Sequence, residues 1–179
     1  MKNEDFGELT LMARIAFAIM CFERYAASAY PEFDFQPVAE MMWHIADGSD
    51  WIDEASYKYS NIIPDCLFET ESCEGFRYLT ENQVHVFRAI LNPDDSDMNT
   101  IMNDIYEIAV SYIYTTVEPY APRAFPYLQD IIRILESHHI DLPDLNLLSE
   151  YTAKKTPRDG KSSQWMGIPV DGKALSNFL

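Results

Sequence analysis

Basic residues are scarce in this chain. Thirteen Lys and Arg stand against 29 Asp and Glu among 179 residues, a formal net charge of −16. Phosphate binding rests on neutralisation by Lys and Arg. The deficit therefore excludes nucleic acid and anionic membrane surfaces as expected partners, and basic protein is what such a charge attracts. Cysteine is scarce too. Cys21, Cys66 and Cys73 are the only three, and no Cys-x-x-Cys pair occurs. Cys21 lies in an apolar run and reads as a buried free thiol; a meeting of Cys66 with Cys73 is open, but nothing requires it. This usage suits a reducing cytoplasm. Glycine numbers only six. There is no Gly-rich phosphate loop, no Gly-x-Ser-x-Gly and no His-Glu-x-x-His. Long apolar runs are missing as well. Leu9 to Phe22 is broken by Thr10 and Arg14, and it is shorter than the about 20 residues a bilayer takes. Met1 to Glu8 holds three acids and one Lys, without the basic start and apolar stretch of a secretory signal.

What is present is apolar material, 47% of residues, with 13% aromatic. That suffices for one packed core. Its spacing is helical. The first helix is predicted from about Glu4 to Ala29, apolar on nearly every face, as a helix at the centre of a bundle would be. Arg14 and Glu23 on it must then meet an edge or a partner. Pro31 stops it. A second helix is predicted over Pro37 to Ala46 and a third, capped by Ser49 or Asp50, through Ser60. Pro64 ends that region or begins a short helical turn. Thr80 and Gln83 fit a capping box ahead of Val84, Phe87, Ile90 and Leu91. Asn92 to Asp97 is a turn. Further helices are predicted over Met98 to Val117 and Arg123 to His138. The expected fold is all-α, a single-domain bundle of five to six helices over residues 1–148. A tail over 149–179 is too apolar to float free, and Asp171-Gly172 in it signals a short β-hairpin. Lys154, Lys155, Arg158, Lys161 and Lys173 outnumber Glu150, Asp159 and Asp171 there, so the tail is slightly basic and the bundle more acidic than the whole. The tail is expected to dock on the bundle partly by that attraction.

Metal and catalytic patterns are thin. Glu40, His44 and Asp47 fit one helix face, and Glu136 with His139 makes one Glu-x-x-His unit. A di-iron bundle needs two such units and two more inward Glu residues, so no metal or cofactor is expected. A Cys–His dyad of Cys66 or Cys73 with His85 or His44 stays open. Carboxylates are so many that chance pairs carry no glycosidase reading.

The acids themselves are clustered. Asp47, Asp50, Asp53 and Glu54 surround Trp51; Glu69, Glu71 and Glu74 form a second group; Asp94, Asp95 and Asp97 a third. Asp50, Asp53 and Glu54 crowd one helix face, where like charges cost a few tenths of a kcal/mol per pair. Acids near helix starts also favour the dipole, which accounts for part of the pattern. Three clusters with a Trp amid the first point to a partner-binding face.

The chain also resembles the small, acidic, helical immunity proteins of bacterial polymorphic and contact-dependent toxin systems. The residues concerned are Cys-Phe-Glu-Arg-Tyr at 21–25, Tyr30-Pro31, Met-Trp-His-Ile at 42–45, Asp50-Trp51, Ile-Ile-Pro at 62–64 and Trp-Met-Gly-Ile-Pro-Val-Asp-Gly-Lys-Ala-Leu-Ser at 165–176. The resemblance implies a cytoplasmic, non-catalytic protein that binds and blocks one toxin domain. With the charge, a nuclease-type domain is the expected partner. Two other readings stand beside it: a small helical metal-dependent enzyme, and an acidic protein that self-associates or mimics nucleic acid.

Overall fold

Thr10 sets where the central helix begins. In the computed structural model, which describes residues 6–48, 52–69, 71–73, 75–156 and 164–179, Thr10 is extended and its Oγ1 accepts from the Ala13 amide. This is N-cap geometry. Helix α1 therefore runs Leu11–Ala29, starting later than its apolar pattern predicts. It ends before Pro31, with the Tyr30 amide still bonded to the Ala26 carbonyl at 2.9 Å. Most of α1 is buried, because α2, α6 and α7 all pack on it.

Helix α2 is Gln36–Trp43, with Pro37 in its first turn. Tighter turns carry the chain on to Ala46. Helix α3 is Ile52–Ser60; its expected cap at Ser49 or Asp50 lies outside the described residues. Pro64 opens the single-turn α4, Pro64–Leu67. Helix α5, Glu81–Ile90, starts on the expected capping box, with Thr80 and Gln83 bonded both ways. Asp95 caps α6, Ser96–Val110, by accepting from the Asp97 and Met98 amides. The pattern predicts α6 as far as Val117, but it stops sooner. Tyr114 turns left-handed at φ 65°, and the β-branched Thr115, Thr116 and Val117 that follow are weak helix formers. A 3-10 turn at Pro122–Ala124 leads into α7, Phe125–Ser137. A second, Leu145–Leu148, precedes the tail.

The all-α class stands, with eight α-helices among the described residues rather than five to six. The expected hairpin is corrected. Asp171 is an N-cap, accepting from the Lys173 amide at 3.1 Å, and Gly172–Leu175 forms the short helix α8. An Asp-Gly pair serves a hairpin turn or a helix start equally well; the cap decides here. The described backbone pairing of strand type is one isolated bridge, Leu9 with Thr152. None of the described helices is long and apolar enough to cross a membrane.

The tail completes α1. The first amides of a helix have no partner within it, and here the tail supplies two: Leu11 donates to the Trp165 carbonyl at 2.8 Å and Met12 to that of Met166 at 3.0 Å. Gly167 follows at φ +95°, where a side chain would also strike Thr10. Further on, Gly172 lies against the indole of Trp43. A Cβ there would stand 2.8 Å from ring atoms of a fully buried side chain. Of the tail's basic residues, Lys154 reaches Glu8 at 3.0 Å, but both side chains are well exposed, and exposed pairs contribute little. Backbone bonds and close packing hold the segment. Gly172→Ala should cost about 1 kcal/mol in urea unfolding, the low end for overpacking, since one turn of helix can shift slightly. An unchanged midpoint would mean that α8 does not press on Trp43.

Of the two expected solutions for Arg14 and Glu23, an edge or a partner, the fold uses partners. Both are fully buried, and their partners come from this chain. Arg14 donates to the Ala121 carbonyl at 2.7 Å and the Phe6 carbonyl at 2.9 Å, with its guanidinium 4.4 Å from the centre of the Phe125 ring. Burial lowers its pKa to about 10. Glu23 accepts from Trp43 Nε1 at 2.8 Å, from the Asn177 amide at 2.7 Å and from the Ser176 hydroxyl.

Candidate partner-binding face

Helix α3 buries Ala55, Ser56 and Tyr59 and turns its other side outward. Tyr59 is anchored inside by donating to the Met102 carbonyl at 2.8 Å. The helical turn then places Asp53, Glu54 and Tyr57 on the outer side, where Arg77 and Tyr78 approach from the loop before α5. Together these five residues line an open depression of about 480 Å³. Glu54 holds Lys58 at 3.1 Å. Arg77 lies over the Tyr78 ring, 5.2 Å from its centre.

Tyr57 and Tyr114 are exposed by 39% and 89%. The Tyr114 hydroxyl lies close enough to that of Tyr57 to raise the Tyr57 pKa. Tyr106, on α6, lies near enough for Tyr57 to raise its pKa too, after burial itself. The face thus combines two carboxylates with tyrosines at α3, α6 and the turn after α6. Tyr carries contact area at low entropic cost and a polar tip, a combination enriched where proteins bind each other.

The expected acidic positions do not converge here. Asp53 and Glu54 belong to this face; Asp50, Trp51 and Glu74 lie outside the described residues. Asp47 lines a different depression with Glu40, Trp43 and Lys173, and pairs with His44 at 3.3 Å. Glu69 and Glu71 stand exposed in the loop after α4, and Asp94 in the turn before α6. Asp97 meets His138 at 2.7 Å beside a further depression that includes Thr100 and Arg133. Asp95 is occupied within the fold. Besides capping α6, it accepts from Tyr25 at 3.0 Å and Tyr30 at 2.8 Å. Burial, then that bond, pushes the Tyr25 hydroxyl pKa up.

Tyr57, Tyr78 and Tyr114 were missed by the sequence reading. They are far apart in sequence, and only the abundance of tyrosine, 11 residues, hinted at them. The cysteines are all free, with Cys21 buried, Cys66 exposed and Cys73 between. Burial raises the Cys21 pKa, as befits an inert thiol.

No protein-family model, no curated protein and no solved structure matches this chain. Its fold and this face define it as an all-helical acidic protein with an exposed tyrosine–carboxylate surface.

Proposed function

We propose that this is a non-catalytic binding protein that captures a basic protein surface on the Asp53–Glu54–Tyr57 face. We further propose that the partner is a nuclease-type toxin domain of bacterial origin, neutralised in the cytoplasm. The observation that carries the reading is the pairing of Asp53 and Glu54 with the exposed Tyr57 and Tyr114. A net charge of −16 would speed encounter with a cationic domain, and the tyrosines would anchor it afterwards. Asp47 and Asp97, outside the face, contribute to the long-range field. Asp95 is not part of the docking set, because its oxygens serve Tyr25, Tyr30 and the start of α6. A nucleic-acid mimic would need carboxylates spaced like phosphates along one face, whereas Asp53 with Glu54, Asp47, and Asp97 line three separate depressions.

The test mixes the purified protein with the product of the adjacent gene and follows association by stopped flow. The on-rate should fall steeply with salt and fall again in Asp53→Lys/Glu54→Lys. Tyr57→Ala should raise the off-rate about tenfold, in the range of an aromatic anchor. Absence of a complex, or an on-rate indifferent to salt, sinks the proposal.

A further inference from the structure

One cluster of metal-ligating side chains lies apart from that face. Cys73 Sγ, a Glu81 carboxylate oxygen and a ring nitrogen of His85 all lie within 4.8 Å of one another. Glu81 and His85 are one helical turn apart at the start of α5, with His85 Nε2 3.8 Å from Glu81 Oε1. Cys73 is brought to them from the loop after α4.

Two devices hold the parts. The capping box at Thr80 fixes the first turn of α5, and therefore where Glu81 points from. Arg88, two turns along the same helix, fastens the incoming loop by donating to the Leu67 carbonyl at 3.0 and 3.2 Å and to the Glu71 carbonyl at 3.1 Å. Its guanidinium also lies 5.8 Å from the centre of the Phe76 ring. The loop is thus tied to α5 on both sides of Cys73. Ser72 lines the same small depression, of about 450 Å³.

We propose that Cys73, Glu81 and His85 form a Zn²⁺ site. Around tetrahedral zinc, thiolate, imidazole and carboxylate donors lie about 3.3–3.8 Å apart, given metal–ligand distances of about 2.0–2.3 Å. The observed atoms, within 4.8 Å of one another, stand about 1 Å or less beyond that spacing. A mixed sulfur, nitrogen and oxygen set selects zinc over magnesium or calcium, which take oxygen. A thiolate and a carboxylate neutralise the ion's two charges, and Glu69 and Glu71 nearby add to the attracting field. Glu81 and His85 are exposed, so the fourth position faces water. Binding ties the acidic loop to α5 and releases the thiol proton.

The experiment titrates the full chain with Zn²⁺ against a chromophoric chelator, and with Co²⁺ alone. One equivalent of zinc should bind, and cobalt should give a thiolate charge-transfer band. Cys73→Ser and His85→Ala should each weaken zinc tenfold or more and Cys73→Ser should abolish the band, while His44→Ala leaves both intact. Circular dichroism checks that the variants fold. The proposal is overturned if no stoichiometric zinc binds, or if binding survives Cys73→Ser and His85→Ala undiminished, as diffuse attraction to surface carboxylates would.

Discussion

Glu23→Ala should cost about 3–5 kcal/mol in unfolding free energy, the range for removing one member of a buried polar network. The side chain has no exposed surface. It receives the Trp43 indole N–H, the Asn177 amide and the Ser176 hydroxyl, and Ser176 Oγ in turn accepts from the amides of Phe178 and Leu179. Removing the carboxylate leaves a buried indole N–H with no acceptor, opens a void beside Trp43 and frees the last residues of the tail. Each abandoned donor costs about 1–3 kcal/mol. The Phe35–Phe178 stack, at 5.9 Å between ring centres, should loosen as well. Glu23→Gln keeps the volume and one acceptor oxygen, so it should cost less than Glu23→Ala. Urea unfolding gives the free energies, and limited proteolysis reads the tail directly: cleavage after residue 164 should accelerate in Glu23→Ala. A loss below about 0.5 kcal/mol, the size of an ordinary surface substitution, would show that the tail is not latched there.

That network also shows what a single sequence conveys. Patterns that act over a few residues were readable. The all-round apolar character of α1, the Thr80–Gln83 capping box and the proline stops rest on local geometry, and the structure has them. Glu23 in an apolar helix announced only that it needs a partner. Its partners lie on α2 and at residues 176 and 177, and no periodicity couples such distant positions. Arg14 is the same case, with an acceptor at Ala121. Asp171-Gly172 was ambiguous, because helix starts and hairpins use the same residues; contact of Gly172 with Trp43 belongs to the helical choice. Acidic clustering was visible, but not its division among separate depressions, nor the diversion of Asp95 to internal hydroxyls. Cys73 with His85 was among the open Cys–His pairs, but Glu81 was not joined to them, because the Glu81-to-His85 spacing is common on exposed helix surfaces and Cys73 comes from a loop.

Asp104 yields the second large effect, and it depends on pH. The residue is buried on α6, and its Oδ2 has no hydrogen-bond partner. Burial, then repulsion from Glu107, raises its pKa from 3.8 to about 7, against the opposing pull of Arg133. Tyr59 and Tyr127 also feel its charge. A carboxyl with a raised pKa holds its proton more tightly folded than unfolded. Between about pH 4 and pH 7 the folded state therefore binds more protons, and stability falls as pH rises. The contribution is fully present below about pH 4 and lost above about pH 7. Its ceiling is roughly 4 kcal/mol, and partial solvent screening reduces it to about 2 kcal/mol. Asp104→Asn removes the ionisation. The variant should match the protein near pH 4 and become more stable by about 2 kcal/mol at pH 8, with the difference opening between those values. Leu at the same position should show the same pH dependence, offset by its own packing cost. The comparison is by urea unfolding across the range, each variant against the unsubstituted chain, so that other titrating groups cancel. A difference that stays constant from pH 4 to pH 8 would mean that Asp104 ionises as freely folded as unfolded. A variant less stable than the unsubstituted chain at pH 8, by an amount that closes toward acid, would mean that an unseen donor favours the carboxylate.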